Sequence, residues 1–556
     1  MSELTRLYHE ATGFGSGRPP RPSVPGFVPS DPENRPVPFK RYPEAPIRAL
    51  PMDLSPGGAP AVAALSGRVP PEREGVDLEL LTRLLFLSTG ITRWAMVREQ
   101  SVWFRTAPSA GNRHPLEMYV AAGAVGGLDP GLYHFAPDVF ALEELSAGDH
   151  RPALADAAAA PEAAAEPLVL ILTGVPWRTA WRYGERGWRH VYWDAGTMLA
   201  NLLTVAEAYG VRARVLLGFA DSALCHRLGI DGIAEFPIAV VTVGGPGEPA
   251  TAGSPGAAGV ARSVGSPDVA GVTGVAGSLG VTGAAGGRPP PPHLVANPPA
   301  RAPLELPLIT EVQRVGELVT AGQVAAWRAA APAGPHTDAV EPPAPVPAPT
   351  STPTRDEPID ALLLRRGSTR RMRPDFVPAE LLEWGMAVAT RPLPADALPA
   401  GTTLLSHRLT VHAVHGVESG LYDWSGGRAE PYRAASEAAV RRLSRYLCRD
   451  QALGGDAAFT DYLFADLDQV LGVYGDRGYR VAQLEAGVAA GRLQLAAFAL
   501  GYGGTGLTFT DDDVAAAFGG RTACMLAVSV GIPAYAARPG GPPGRPAQVR
   551  IGLTRR

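Results

Sequence analysis

The stretch Trp181-Arg182-Tyr183-Gly184-Glu185-Arg186-Gly187-Trp188-Arg189, which continues as His190-Val-Tyr-Trp-Asp194-Ala-Gly196, decides the fold of this chain. A second version occurs downstream as Val473-Tyr474-Gly475-Asp476-Arg477-Gly478-Tyr479-Arg480, and it continues to Leu484-Glu485-Ala486-Gly487. Two Gly-Leu-Tyr sequences, at 131–133 and 420–422, lie almost the same number of residues apart as the two stretches. Two copies of about domain size in the same order predict a tandem duplication and not a solenoid.

The composition argues against several function classes. A formal net charge of -4 leaves no excess of positive charge, so we expect no general attraction to nucleic acid or to an anionic membrane. The three cysteines, Cys225, Cys448 and Cys524, are too widely spaced for a disulfide framework or a CxxC metal site, and no metal is expected. No apolar run reaches the ~18 residues of a membrane-spanning helix. The sequence therefore predicts a soluble cytoplasmic protein.

Composition and periodicity divide the chain. Helical stripes and short β-branched or aromatic runs follow in the same order in two regions, which are predicted to be globular α+β domains. The region between them is dominated by Gly, Ala and Pro, and it has too little apolar surface to offset the entropy of ordering. The predicted parts are an extended N-terminal arm (1–75), a first domain (76–244), a disordered low-complexity linker (245–357) with a possible helix at 311–330, a second domain (358–535) and a C-terminal tail (536–556).

Each half carries a binding segment that the other lacks. The first half has Arg105-Thr-Ala-Pro108-Ser109-Ala110-Gly111-Asn112, in which small residues allow a flat ligand to approach and Ser, Asn and Arg offer hydrogen-bond donors. By itself this segment is also typical of a turn that leads into a strand. The second half has Arg365-Arg366-Gly367-Ser368-Thr369-Arg370-Arg371, whose guanidinium groups around a hydroxyl could clamp a phosphate. A charge run of this kind is also typical of a solvated surface.

The sequence Gly501-Tyr-Gly503-Gly504-Thr-Gly506 fits the GxGxxG pattern of dinucleotide-binding proteins. That pattern requires a strand before the glycines and a helix after them. Here a predicted helix precedes the glycines and a strand-like run follows. The reversed order argues against a dinucleotide site.

Together these motifs resemble the nitroreductase fold of flavin enzymes, and within it the SagB-type (SagB/ThcOx) peptide dehydrogenases. The resemblance implies an FMN site at a subunit interface, with an Arg-x-Ser-x-Arg segment from one subunit and a Pro-Ser segment from the other. Because these pieces lie on different halves here, we expect two nitroreductase-like domains that form an intramolecular pseudo-dimer with one FMN site. The mirror site lacks both pieces and is expected to be empty, and further oligomerisation stays open. The residues that the resemblance assigns to FMN are Arg105, Pro108, Ser109, Ala110, Gly111, Asn112, Arg366, Ser368, Arg370, Gly503 and Gly504.

The azoline-oxidising members of this family have a Lys-Tyr pair where this chain has Arg182-Tyr183. Tyr183 is predicted as the base or proton relay, because a phenol can titrate if neighbouring cations lower its pKa. Arg182 is a poor base because its guanidinium stays protonated, but its charge could lower the pKa of Tyr183. A packing role at a helix entrance is the alternative for the pair. The Arg is consistent with drift in a chain that has a single lysine, Lys40, or with altered chemistry. Asp194 and Glu485 follow the two tyrosines at similar offsets and are predicted to serve packing and helix charge.

The favoured function is FMN-dependent oxidation of thiazoline or oxazoline rings to thiazoles or oxazoles in a ribosomally synthesised peptide, with dioxygen reoxidising the flavin. The implied partners are the azoline-containing precursor peptide and a cyclodehydratase. Two alternatives remain. One is an NAD(P)H-dependent flavin oxidoreductase that acts on a small molecule, and the other is a non-catalytic scaffold that binds peptide in a biosynthetic complex.

Overall fold

The computed structural model describes residues 3–15, 27–97, 99–123, 125–244, 290, 294–331, 345–350, 357–398 and 402–550. Residues 245–289 of the predicted disordered linker lie outside this set. We call the described residues up to 244 the first half and those from 357 onward the second half.

The first half contains seven α-helices and eleven strands within its described residues. The helices are α1 (Glu3–Ala11), α2 (Ala61–Leu65), α3 (Leu78–Thr89), α4 (Arg151–Ala157), α5 (Trp177–Tyr183), α6 (Gly187–Ala208) and α7 (Asp221–Leu228). The strands are β1 (Ile47–Ala49), β2 (Val76–Asp77), β3 (Ile91–Val97), β4 (Gln100–Arg105), β5 (Leu116–Ala122), β6 (Val125–Gly126), β7 (Gly131–Ala136), β8 (Ala141–Ala147), β9 (Leu168–Gly174), β10 (Arg212–Leu216) and β11 (Phe236–Gly244).

Two helices, α8 (Pro307–Val315) and α9 (Ala321–Ala329), precede the second half. The helices of the second half are α10 (Ile359–Arg365), α11 (Ala379–Ala389), α12 (Glu437–Leu447), α13 (Ala452–Asp456), α14 (Leu467–Tyr474), α15 (Arg477–Ala499) and α16 (Asp511–Ala517). Its strands are β12 (Met372–Arg373), β13 (Ser406–Val411), β14 (Gly420–Ser425), β15 (Arg428–Ala434), β16 (Phe459–Ala465), β17 (Gly503–Leu507), β18 (Ala523–Pro533) and β19 (Ala547–Gln548).

The main sheets of the two halves have the same strand order. The first sheet runs β8-β7-β5-β9-β11-β10, with β1 added beside β8. The second runs β15-β14-β13-β16-β18-β17, with β12 also beside β18. Matching strands thus occupy matching places, and the predicted duplication with an α+β fold is confirmed.

The long helices α6 and α15 pack against each other at the centre of the molecule, and both are buried along nearly their whole length. They cross where Gly196 meets Gly487. A Cβ on Gly196 would lie 2.3 Å from the Leu484 carbonyl oxygen, and one on Gly487 would lie 2.5 Å from the Trp193 carbonyl oxygen. The glycine that ends each copy of the recurring stretch therefore allows close contact between the halves.

Reciprocal contacts hold the halves as a pseudo-dimer. The Ala61 amide donates to the Glu357 carbonyl at 2.9 Å, and the Ile359 amide donates to the Ala59 carbonyl at 3.1 Å. Two clusters of salt bridges show the same reciprocal arrangement. Arg186 and Arg189 bind Asp511, at 2.9 and 2.7 Å, while Arg477 and Arg480 bind Asp221, at 2.6 and 2.8 Å. Each copy of the recurring stretch thus binds the opposite half.

Several segments outside the predicted domains pack onto them. Strand β1, within residues 1–75, pairs with β8, and β19, within residues 536–556, pairs with β3 of the first half. Residues 311–330, predicted as one possible helix, contain the end of α8 and the whole of α9. Helix α8 ends before Gly316, and Thr320 starts α9 with a capping box that includes Gln323, so the chain begins a new helix there.

Within the part of the chain that the structure describes, no helix combines the length and the apolar character required to cross a membrane.

Candidate functional site

The segment 108–112, which we call the Pro108 loop, is held against α6 by one carboxyl group. Asp194 accepts a hydrogen bond from the Ser109 hydroxyl at 2.5 Å and another from the Ala110 amide at 2.9 Å. The Ser109 hydroxyl oxygen also accepts from the His114 amide at 2.8 Å. Burial raises the pKa of Asp194 to about 7, although both hydrogen bonds act in the opposite direction. A carboxyl group that titrates near neutrality therefore lies directly behind the loop.

Gly111 and Asn112 shape the tip of the Pro108 loop. Gly111 has a φ of 59°, and a Cβ there would lie 2.4 Å from the Tyr183 hydroxyl oxygen. Asn112 has a φ of 58°, and its amide nitrogen donates to the Trp103 carbonyl at 2.8 Å. Its amide oxygen lies 2.8 Å from Nε2 of His114. Both ends of the Asn112 amide are therefore engaged within the protein, and Gly111 brings the loop against Tyr183.

Arg105 braces the base of the loop. Its guanidinium donates to the Thr89 hydroxyl at 3.1 Å and to the carbonyls of Leu116 and Pro38, at 3.4 and 3.3 Å. Burial lowers its pKa to about 10. These bonds connect the segment before the Pro108 loop to α3 and β5. Arg105 therefore positions the loop by holding its surrounding backbone.

Arg366 crosses from the second half to the Pro108 loop. One terminal nitrogen donates to the Thr106 carbonyl, just ahead of the loop. Nε and Nη1 are buried and have no hydrogen-bond partner among the described residues. Burial and, to a smaller extent, the nearby Arg93 and Arg370 lower the pKa of Arg366 to about 9. Such a guanidinium fits an anionic group, which would satisfy its free nitrogens and offset the burial of its charge.

The rest of the Arg-x-Ser-x-Arg segment lies along β17. Thr369 donates its amide to the Gly504 carbonyl at 3.2 Å, and a Cβ on Gly503 would lie 2.2 Å from the Thr369 hydroxyl oxygen. The two glycines thus allow this segment to approach the strand. Ser368 is half-buried and Arg370 is exposed at the surface beside them. Helix α15 precedes these glycines, and the glycines themselves begin β17. This order is the reverse of the strand, glycine loop and helix of a dinucleotide site.

Tyr183 lies on the first-half side of the same cluster. Its ring stacks on His190 with centroids 4.2 Å apart, and the guanidinium carbon of the exposed Arg182 is 5.7 Å from the ring centre. The pKa of Tyr183 is raised because burial outweighs the effect of Arg182, and Asp194 adds to the increase. The prediction of a lowered pKa is therefore wrong. At neutral pH the phenol is therefore protonated and is able to donate a hydrogen bond.

The predicted residues of both halves are thus brought together around one place. Tyr183 lies against Gly111 of the Pro108 loop, and Arg366 contacts Thr106, two residues before the loop. Both Arg93 and Arg370 lie close enough to Arg366 to lower its pKa. These residues fit FMN, because a loop of small residues lies near a buried cation, two of whose nitrogens have no hydrogen-bond partner among the described residues. Groups of three or more His, Cys, Asp or Glu side chains that could hold a metal do not occur in the described part of the chain.

Sequence reasoning gave Asp194 too small a role. The sequence shows that Asp194 recurs as Glu485 in the second copy, but it does not show which groups these carboxylates contact. Glu485 accepts from the Thr403 hydroxyl at 2.6 Å and from the Leu404 amide at 2.9 Å, which repeats the arrangement at Asp194. The sequence predicted no counterpart of the Pro108 loop in the second half. The same carboxyl, hydroxyl and amide arrangement is nevertheless present there, because hydrogen-bonding geometry can persist when the residue types change.

Comparison with known proteins agrees with this division into halves. A model of the nitroreductase family matches residues 72–245 and again residues 363–532. The chain is 31% identical over 171 residues to "Putative nitroreductase MJ1384" of Methanocaldococcus jannaschii, a match that covers 30% of this chain and 81% of that protein. It is 27% identical over 175 residues to the trifolitoxin-processing protein TfxB of Rhizobium leguminosarum, covering 30% of this chain and 47% of that protein, less than two thirds of its length.

A crystal structure of a "putative nitroreductase" from Anabaena variabilis superposes on both halves together. The TM-score is 0.68 at 23% sequence identity, and the superposition covers 96% of this chain and 100% of that one. At this identity the likeness concerns the fold alone.

Proposed function

This chain belongs to the nitroreductase family, and from that premise we propose that it is an FMN-dependent dehydrogenase that oxidises thiazoline or oxazoline rings in a ribosomally synthesised peptide. The observation that carries the proposal is the position of Arg366, whose two free nitrogens are buried beside the Pro108 loop of the other half.

Arg366, with Ser368 and Arg370, would hold the phosphate of FMN, because guanidinium groups bind phosphate oxygens strongly in a buried setting. The Pro108 loop, supported by Arg105, would lie along the flat ring system, where Gly111 leaves room for a close approach. Bound FMN would supply a two-electron acceptor. Only one such combination of segments exists in the described residues, which supports one FMN for each chain.

Converting an azoline to an azole removes one ring hydrogen as hydride and one as a proton. The hydride needs an acceptor, and the proton needs a base within reach of the substrate. Tyr183 is protonated at neutral pH, so we assign its hydroxyl to orienting the substrate by donating a hydrogen bond. We assign the released ring proton to Asp194, which has a pKa of about 7 and accepts a hydrogen bond from the Ser109 hydroxyl, so that this hydroxyl would pass the proton on to it. Asp194 also accepts a hydrogen bond from the Ala110 amide of the Pro108 loop.

A role in peptide maturation draws on two observations. The motifs resemble those of SagB-type peptide dehydrogenases, and one relative is named for processing trifolitoxin. The substrate would be a precursor peptide whose azoline rings a cyclodehydratase has formed. Arg182 in place of Lys retains a cation beside Tyr183, which is consistent with retained chemistry.

The direct test is mass spectrometry of an azoline-containing peptide incubated with the FMN-loaded protein in air. The proposal predicts the loss of two hydrogens from each oxidised ring, dependent on both the protein and FMN. An unchanged peptide, together with rapid bleaching of the flavin by NADPH, would instead support a reductase acting on small molecules. An unchanged peptide bound by a flavin-free protein would support the scaffold.

A further inference from the structure

A cavity of about 310 Å³ lies in the second half, where the mirror image of the Pro108 site would be. It is bounded by the end of α11, the start of β13, the hairpin between β14 and β15, and α15. Its volume is at the lower end of the range of about 300–1,000 Å³ that is typical of small-molecule sites. Its wall includes Glu485, the counterpart of Asp194.

Arg492 of α15 supplies a cation to this wall. Its guanidinium donates to the backbone carbonyls of Arg391 and Pro392. Across the described ranges no carboxylate forms an ion pair with it, although the side chain is only 7% exposed. Burial and, to a smaller extent, neighbouring Arg391 lower its pKa to about 9, although Glu207 and Glu485 act in the opposite direction. An anion in the cavity would offset the burial of this charge.

His407 of β13 supplies a second donor from another side. Its Nδ1 lies 2.9 Å from Asp461, which leaves Nε2 as the remaining ring nitrogen. Burial lowers the pKa of His407, but Asp461 and Glu485 outweigh burial, so the pKa lies above its usual value. Arg492 and His407 therefore line one cavity from two different elements, α15 and β13.

The other charged groups of the wall are already engaged. Arg391 is paired with Glu207 at 3.2 Å, and Glu485 accepts from Thr403 and Leu404. Burial raises the pKa of Glu485, while these two hydrogen bonds and the nearby His407 and Arg492 oppose that increase. The remaining lining is largely apolar and includes the half-buried Trp424.

We propose that this cavity binds a small organic acid, whose carboxylate pairs with Arg492 and His407 and whose apolar body packs near Trp424. FMN is a poor match, because the segment that follows α2 in the first half, Ser66 to Pro70, has one arginine, the exposed Arg68, whereas the segment that follows α10 contains Arg366-x-Ser368-x-Arg370. The duplication has thus converted one of two equivalent places into a site of different specificity. This proposal does not depend on the activity assigned to the Pro108 site.

Benzoate is the probe, and benzamide, which has the same shape without the charge, is its matched control. Calorimetric titration of the FMN-loaded full chain should give one saturable benzoate site, with benzamide at least ~10-fold weaker. Arg492→Gln and His407→Gln should each weaken benzoate binding by ~10-fold or more while flavin content stays unchanged. Arg408→Gln is the control variant, because Arg408 follows His407 on β13 but pairs with Asp423 and does not line the cavity.

Ala489→Leu keeps both cations and fills part of the cavity, so it should also reduce benzoate binding if Arg492→Gln does not fold. The proposal is overturned if benzoate does not bind up to ~1 mM, if benzamide binds equally well, or if the Arg492 and His407 variants bind benzoate as the parent does. A second FMN in this cavity would also overturn it. Loss of flavin in Arg366→Gln with benzoate binding intact would separate the two sites.

Discussion

The guanidinium of Arg366, in the second half, donates a hydrogen bond to the backbone carbonyl of Thr106, two residues before the Pro108 loop of the first half. This contact joins two segments that lie 260 residues apart in the sequence. Because the remaining guanidinium nitrogens are buried without a partner in the described residues, the contact also orients a cation toward the place assigned to FMN.

Replacement of Arg366 tests the cofactor assignment. Arg366→Gln removes the charge, and a hydrogen bond to a charged group contributes about 1.5–3 kcal/mol, so FMN affinity should fall roughly 10- to 100-fold. Flavin fluorescence during titration of the apoprotein measures this change. Arg68→Gln, at the exposed arginine after α2, is the control and should leave affinity unchanged. Equal affinity in both variants would remove Arg366 from the site.

Substitution of Tyr183 separates catalysis from binding. Tyr183→Phe removes only the hydroxyl and with it the hydrogen bond assigned to orienting the substrate, so flavin content should stay constant while azoline oxidation falls by about 10-fold. The counterpart Tyr474→Phe is the matched control, because Tyr474 lies in the second half and its hydroxyl donates to the Ala397 carbonyl of the same half. Turnover at the parental rate in Tyr183→Phe would leave the tyrosine a packing role only.

The salt bridges of Asp511 with Arg186 and Arg189, which connect the two halves, should contribute strongly to the free energy of unfolding. Asp511→Ala leaves Arg186 and Arg189 buried without their carboxylate, and the free energy of unfolding should fall by about 3–5 kcal/mol. Urea unfolding measures the loss. Asp468→Ala, which breaks an exposed pair with Arg6, should change it by less than ~1 kcal/mol.

The same bridge has a defined pH dependence. Burial alone would raise the pKa of Asp511, but Arg186 and Arg189 outweigh burial and depress it. The stabilisation is therefore complete above the unfolded-state pKa of about 3.9 and is lost as pH falls through the lower folded-state value. Equal acid sensitivity of the parent and Asp511→Ala would contradict this account.

Asp194 should produce the opposite dependence at higher pH. Its pKa rises from 3.8 to about 7 on folding. Between these values the folded protein binds a proton that the unfolded chain does not, so the free energy of unfolding should decrease as pH rises across this window. In Asp194→Asn this contribution disappears, and the parent should lose stability relative to the variant between about pH 4 and pH 7. Parallel urea-unfolding curves at all pH values in that window would contradict a raised pKa.

Much of this arrangement could be predicted from the sequence. The recurring stretch identified the duplication because its glycines and arginines contact the opposite half, which constrains both copies. The Pro108 loop and Arg366 were predicted to meet because each half lacks the partner segment. The pKa of Tyr183 could not be predicted, since burial is set by tertiary packing. Asp194 and Glu485 were visible as a recurring pair, but only the folded loops reveal the hydroxyl and amide groups that each carboxyl accepts.

The number of FMN molecules bound to each chain tests the central claim most directly. Flavin released by denaturation can be measured by absorbance and divided by the protein concentration from amino-acid analysis. A single site formed by Arg366 and the Pro108 loop predicts one FMN per chain at saturation, and near-complete loss in Arg366→Gln at low flavin concentration. Two FMN molecules per chain, or one that Arg366→Gln retains with parental affinity, would contradict the account.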